Sequence, residues 1–314
     1  LLTKMENQQK KGLFKDGNNR KKYEKAAEIF FLANAAIAIV SVFAIALFIF
    51  YKGLQPFMPL NEEGTYSFID FITGTQWRPH DEISQAAYGI FYMIIGSIFS
   101  ATGAIILGVP LGILTAVFMA EIAPKPIAKL MRTAVELLAG IPSVFFGIFG
   151  LGFIVPKIMA SSPYSQGQSL LAVILVLTIM ILPTIISLAE NAIRAVPDTF
   201  RQGSYALGAS KIYTIFKVVL PAAKSGILAG VVLGTGRAIG ETMAVMLVAG
   251  NPIAGIPTSI WAPVRPMTTN IALEMGYAFG LHQEMLFATG VVLFIFIMII
   301  NIVFNKIAYG MKSS

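Results

Sequence analysis

Cysteine is absent from the 314-residue chain, and charge is scarce, with Asp, Glu, Lys and Arg together making up 12%. The first absence excludes disulfides, thiolate metal sites and cysteine nucleophiles. The second is about half the charge of an ordinary soluble domain, roughly 25%. Histidine occurs only as His80 and His282, far apart in predicted loops, so no histidine metal site is expected. Neither HExxH nor GxSxG occurs, and there is no Gly-Lys dipeptide, which excludes a Walker A phosphate loop. Any ATP this protein uses must therefore be bound by another chain. No nucleophile and base stand at a catalytic spacing, so a membrane enzyme is the least supported class.

What remains is apolar: 56% of residues are hydrophobic and the mean hydropathy is +0.75. The apolar residues fall in long blocks with little chain between them, which implies one integral membrane domain. Crossing a hydrocarbon core takes about 20 apolar residues as a helix. Six stretches meet this, at 26–51, 88–120, 130–154, 170–189, 222–249 and 286–308, and predict an all-α polytopic protein with six transmembrane helices. The second is over-long but has no polar loop around Pro110, and reads as one tilted or bent span. Pro142 and Pro183 remove backbone donors inside spans and are expected to mark kinks. The first span follows a basic segment, 1–25, but is too long for a signal-peptide core and lacks an A-x-A cleavage site, so it reads as an uncleaved anchor. Leu1–Lys4, ahead of Met5, read as residues upstream of a start and carry no function.

Basic residues fix the orientation. Eighteen of the 23 fall on one side: Lys4, Lys10, Lys11, Lys15, Arg20, Lys21, Lys22, Lys25, Lys125, Lys129, Arg132, Arg194, Arg201, Lys211, Lys217, Lys224, Lys306 and Lys312. Lys52, Arg78, Lys157 and Arg265 fall on the other, which places both termini and the 310–314 tail in the cytoplasm. The net charge of +7 is thus a topology signal with a possible lipid contact, and gives no reason to expect nucleic acid. Two external connections stand out: 52–87, with Glu62, Glu63, Asp70, Asp81 and Glu82, and the Pro- and Gly-rich 250–284. Each reads either as a docking surface for an extracytoplasmic partner or as an ordinary solvated loop.

The cytoplasmic loop 190–224, "ENAIRAVPDTFRQGSYALGASKIYTIFKVVLPAAKSG", is too patterned for a passive linker. Gly203, Ser204, Ala206, Gly208 and Ala209 permit close approach by another surface. The order predicts a short helix, a glycine turn at Gly208, a second amphipathic helix and a break at Pro221. This loop resembles the EAA motif of ABC importer permeases: Gly208, Val218, Leu220 and Pro221 fall at its Gly, Ile, Leu and Pro positions. Gln202, Gly203 and Ser204 stand where Glu-Ala-Ala is expected, and Gln for Glu departs from the pattern. "ELLAGIPSVFFGIFGLG" and "GRAIGETMAVMLVAGNP" resemble the PstC-type permeases of high-affinity phosphate importers over about 88–309.

That resemblance implies a type I ABC importer permease (MetI-like) fold, with 88–309 as permease core after a first helix and external loop at 26–87. It also implies a multi-pass location in the plasma or inner membrane of a prokaryote. The partners implied are a second, PstA-like permease, two PstB-like ATP-binding subunits and an extracytoplasmic PstS-like phosphate-binding protein. This chain would bind no cofactor, ATP and Mg residing on the ATPase. Gln202, Gly203, Ser204, Ala206, Gly208 and Pro221 would form the coupling surface that docks on it.

Arg237 is the one basic residue inside a predicted span and away from its ends. On a continuous helix at 100° per residue, Gly226, Gly230, Gly234, Arg237, Glu241 and Ala244 share a stripe spanning about 80°. Small residues at i, i+4 admit a neighbouring helix, whereas charges in a membrane face a bundle interior or a water-filled cavity. Arg237 lies about 16–20 Å from the cytoplasmic start of its span. Inserting its charge there costs ~2.5 kcal/mol or more. Arg237 and Glu241 could simply neutralise each other, but Arg before Glu is the weaker i, i+4 order. Two leucines would fill the space without desolvating a charge. The functional reading is a substrate pathway, in which Arg237 presents a planar charged fork to an oxyanion. Glu241 would limit the positive field and accept a hydrogen bond from a protonated phosphate oxygen, which sulfate lacks. Glu136, four residues after Arg132, reads as one half of an end-of-helix ion pair.

The residues leave alternatives open. A permease for molybdate, sulfate or phosphonate keeps this architecture and changes only the cargo. A stand-alone transporter or anion channel would also use one intramembrane arginine, but leaves loop 190–224 without a purpose.

Overall fold

A computed structural model describes residues 2–58, 65–80, 85–164 and 166–310, with the side chains of 2–20, 22, 304, 305 and 307–310 excepted. Glu62, Glu63, Asp81, Glu82, Lys312 and most of the tail lie outside the described residues, as do the side chains of Lys4, Lys10, Lys11, Lys15, Arg20 and Lys22. Two compact units divide the chain, Leu1–Lys52 and Gly53–Ser314. The first is carried by the single helix α1 (Leu2–Leu54), whose apolar part begins at Tyr23, within three residues of the expected anchor.

In the second unit the membrane-length helices are α3 (Phe91–Val117, continued by a π turn to Ile122), α7 (Leu170–Arg194), α10 (Leu220–Gly240) and α13 (Gly280–Gly310). Between them lie α2 (Phe68–Thr73), α4 (Lys125–Gly140), α5 (Ser143–Phe149), α6 (Val155–Met159), α8 (Asp198–Ala206), α9 (Lys211–Thr214), α11 (Met243–Val248) and α12 (Met267–Glu274). A two-residue antiparallel ladder, β1 (Trp77–Arg78) on β2 (Ala87–Tyr88), is the one sheet among the described residues.

Helix α7 is the centre, and glycines explain how closely it is approached from both sides. On α3, a Cβ at Gly103, Gly108 or Gly112 would strike Ile174, Ile181 or Ile185 at 2.4–2.7 Å. On α10, a Cβ at Gly226, Gly230 or Gly234 would meet Ala192, Leu188 or Ile185 at 2.4–3.0 Å. Without a hydrophobic force between helices in lipid, such backbone approach is the main source of packing contact. The α10 glycine stripe read from the sequence therefore faces a neighbouring helix, as expected.

Two expected spans are interrupted. The third, 130–154, does not run through: α4 ends at Gly140, Ile141 is extended, and α5 leaves at 97° to α4. The cause is Pro142, which disfavours helical backbone at the residue before it, so it breaks the span where only a kink was expected. The fifth, 222–249, ends as a helix at Gly240. Glu241 takes φ −69°, ψ 127°, and α11 restarts at Met243. By contrast, α3 runs through Pro110 and α7 through Pro183. The break expected at Pro221 is absent too. A π turn at Ile215–Val219 directly precedes it, and one helical run extends from Lys211 through Pro221 to Gly240.

The interrupted spans meet. A Cβ on Gly147 of α5 would lie 2.8 Å from the Cα of Ala244 in α11, and one on Gly150 would strike Val176 of α7 and Val248. Non-helical backbone at membrane depth is tolerated only where protein buries it or where it lines a cavity. These two breaks are therefore the structurally exceptional part of the bundle.

Candidate functional site

At the α10 break, side chains satisfy the freed backbone groups. Glu241 Oε1 accepts from the Ala244 N–H at 3.2 Å, capping α11. The Glu241 carbonyl accepts from Thr268 Oγ1 at 3.2 Å, and Thr242 Oγ1 donates to the Gly240 carbonyl at 3.1 Å. This corrects the continuous stripe expected for Arg237 and Glu241. The helical angle holds as far as Gly240, and Glu241 then leaves the helix to cap the next one. Mutual neutralisation is not seen either, because Arg237 forms no ion pair within the chain among the described residues. Arg237 is half-buried on the last turn of α10, and added Cβ atoms at Gly236 and Gly240 beside it would meet nothing within 4 Å. Arg237 thus lies beside positions that this chain leaves open.

On the cytoplasmic side, the expected coupling surface is formed by α8, a turn and α9. Gly208 takes φ +81°, a value that suits glycine, and its N–H closes the turn on the Tyr205 carbonyl. Ser210 then caps α9. Gln202, Gly203, Ala206, Gly208 and Pro221 are exposed, while half-buried Ser204 holds Thr214 at 2.9 Å. Gly203 and Gly208 line one groove with Phe200, Leu207 and Tyr213, and Leu207 is 91% exposed. A large apolar side chain beside glycines with open space above them suits a protein contact.

Sequence reasoning missed what anchors this surface. Arg201, counted above only as a topology charge, donates to Glu121 at 2.6 Å, to the Val196 carbonyl at 2.7 Å and to the Ile193 carbonyl at 3.0 Å. Hydrogen bonding to the Glu121 carboxylate raises its pKa further, against the opposing effect of burial. It thereby ties α8 to the cytoplasmic ends of α3 and α7. Glu190, expected in the loop, lies inside α7 at 2% exposure and accepts from Arg132 at 2.5 Å and Arg194 at 2.8 Å. The ion pair expected between Arg132 and Glu136 is corrected accordingly: Arg132 reaches across to α7, and Glu136 stays exposed.

A second missed cluster lies on the extracytoplasmic side. Glu274, 6% exposed, ion-pairs with Arg265, 4% exposed, and accepts from Trp77 Nε1 at 2.6 Å; its Oε2 also lies 2.7 Å from His282 Nε2. The 250–284 connection is therefore no solvated loop, since Val264, Met267, Thr269 and Asn270 are buried with this cluster. Ile253, Ile256, Ile260, Leu273, Tyr277 and Phe279 are its exposed large apolar residues. His80 and His282, distant in sequence, line one pocket with Tyr277 and Phe279, and His282 opens α13 instead of lying in a loop. Among the described residues no three His, Cys, Asp or Glu side chains form a group able to hold a metal ion.

With this geometry in place, three comparisons bear on it. A family model described as "Binding-protein-dependent transport system inner membrane component" matches residues 108–312. The chain is 39% identical to the probable ABC transporter permease protein YqgH of Bacillus subtilis, covering 92% of this chain and 93% of that protein. It is 34% identical to the phosphate transport system permease protein PstC of Mesorhizobium japonicum, covering 84% and 83%. Among solved structures, a bacterial ABC transporter importing the acidic polysaccharide alginate matches at TM-score 0.60 and 14% identity, over 87% of this chain and 94% of that one, a likeness of fold.

Proposed function

The chain belongs to the binding-protein-dependent transport system inner membrane components, and on that premise we propose that it is the permease subunit of an ATP-driven importer of inorganic phosphate. Members of this family are transport subunits of ABC importers and reside in the cell membrane. Phosphate as cargo is supported by the relative named for phosphate transport, which is alike over most of both chains.

The observation that carries the mechanism is Arg237. It is a permanent charge one turn from a broken helix, without an ion-pair partner among the described residues, beside positions of α10 that this chain leaves open. A guanidinium fork binds a tetrahedral oxyanion through paired N–H groups. The second, PstA-like permease would cover these positions and complete the pathway. Glu241 limits the positive field and accepts from a protonated phosphate oxygen, so the ion is held loosely enough to leave.

Gln202, Gly203, Ser204, Ala206, Gly208 and Pro221 dock on one of two PstB-like ATPase subunits, which carry ATP and Mg. ATP binding there moves α8, and Arg201 passes the movement to α3 and α7. A PstS-like binding protein delivers phosphate to the external surface, for which Ile253, Ile256, Tyr277 and Phe279 are available.

Radiolabelled phosphate uptake into vesicles, with and without the ATPase partner and ATP, tests this reading. Uptake is expected only with both, and excess sulfate or molybdate should compete weakly. Uptake by the isolated chain would support a stand-alone transporter, and sulfate outcompeting phosphate would change the cargo.

A further inference from the structure

Beside the α10 break is a small cavity, walled by Ser97 and Ser100 of α3, Leu177, Ala238, Ile239, Glu241, Val245, Pro266 and Thr268. In this conformation it has room for about one water molecule. Its hydroxyls are not equivalent. The single donor of Ser97 is used, on the Met93 carbonyl at 2.8 Å, and its oxygen accepts from the Met267 N–H at 3.1 Å. Thr268 is engaged with the Glu241 carbonyl.

Ser100 is 3% exposed, and its Oγ has no hydrogen-bond partner. A helical Ser or Thr in an apolar bundle ordinarily donates to the carbonyl four residues back. Ser97, Thr115, Thr178 and Thr289 all do so here. Ser100 does not, nor does Thr235 of α10, and an unused buried hydroxyl is costly to keep. Glu241 lines the same cavity; its carboxylate accepts one hydrogen bond, from Ala244, and a carboxylate has about four acceptor sites.

The cavity is therefore lined by one residue with a spare donor, Ser100, and one with spare acceptor capacity, Glu241. An oxygen satisfies both only if it can accept and donate at once. Water can do this, and so can the hydroxyl oxygen of hydrogen phosphate; every oxygen of sulfate at neutral pH accepts only.

We propose that Ser100 and Glu241 form a pair that reads a single protonated oxygen of the cargo, Ser100 donating to it and Glu241 accepting its proton in a hydrogen bond. A water holds the place at rest and the P–OH displaces it as the ion passes Arg237. This rests on the phosphate reading above and adds Ser100 as a specificity-determining residue. The pair selects for a protonated oxyanion over a fully ionised one of similar size.

The test is uptake kinetics of the complete reconstituted importer carrying Ser100→Ala, Ser100→Cys or Ser100→Thr, with arsenate and sulfate as competitors. Losing one hydrogen bond to the ion predicts a KM for phosphate about tenfold higher in Ser100→Ala, with kcat within about twofold. Arsenate, which also carries a hydroxyl at neutral pH, should weaken as a competitor in parallel, and sulfate should not. Ser100→Thr should restore KM, and Ser100→Cys, nearly isosteric with a weak donor, should fall between.

An unchanged phosphate KM in Ser100→Ala overturns the proposal, as does an equal shift for all three anions. If Ser100→Ala fails to assemble, an unchanged KM in Ser100→Cys overturns it. Absence of phosphate uptake by the unmodified importer refutes the underlying phosphate reading, whereas normal uptake with silent Ser100 variants refutes the reading pair alone.

Discussion

Replacing Arg237 with glutamine is expected to lower ATP-driven phosphate uptake about a hundredfold or more while the importer still assembles. Removing one side of a desolvated charged hydrogen bond costs about 2–5 kcal/mol, and each 1.4 kcal/mol is roughly tenfold. A purely structural arginine predicts something different. Arg237 has no ion-pair partner within the chain among the described residues, so its removal breaks no salt bridge here. It also relieves an insertion cost of ~2.5 kcal/mol or more. Thermal stability of the Arg237→Gln complex should therefore be equal to or above that of the parent even as uptake collapses. Arg237→Lys keeps the charge and loses the planar fork, so it should retain intermediate uptake. Normal uptake by Arg237→Gln would remove this residue from the pathway.

Glu274→Ala should act oppositely, through the fold. It leaves the Arg265 charge buried without its partner and deprives Trp77 Nε1 and His282 Nε2 of their acceptor. Breaking a buried pair from one side costs about 3–5 kcal/mol. The unfolding midpoint of the purified chain in detergent should fall on the order of 10 °C. Glu274→Gln keeps an acceptor for Trp77 but loses the charge, and belongs between the two. A midpoint within about 2 °C of the parent would show that water replaces the carboxylate and that the cluster does not hold this face together.

The two residues also differ in how far the sequence discloses them. Arg237 stands out in one dimension, as a lone charge in an apolar run, and the stripe of Gly226, Gly230 and Gly234 faces α7 as the helical count requires. The count fails after Gly240 for a tertiary reason. The break is held by Thr268, 27 residues further on, whose hydroxyl takes the Glu241 carbonyl. No local pattern contains that bond. Pro142 was visible, but whether a proline kinks or breaks a helix depends on what packs around it; here α5 turns away to meet Ala244.

The Glu274 cluster had no sequence signal at all. Trp77 and Glu274 are 197 positions apart, and His282 and Arg265 sit in stretches whose composition reads as connection. Arg201 and Glu190 were obscured differently, because a basic residue near a cytoplasmic end is fully explained by topology until its partner is seen. The coupling turn was readable because it is local: a glycine at positive φ and a serine cap follow directly from residue type.

The absence of cysteine makes the most direct test of an anion pathway at Arg237 a clean one. Gly240→Cys places the chain's single thiol one turn from Arg237, at a position where a new Cβ meets nothing within 4 Å. Its alkylation rate can be followed on this chain in the complete importer while it cycles with ATP. Phosphate is predicted to slow alkylation several-fold and sulfate at the same concentration to leave it unchanged. An alkylation rate indifferent to phosphate, in an importer that still takes phosphate up, would contradict passage of the ion beside Arg237.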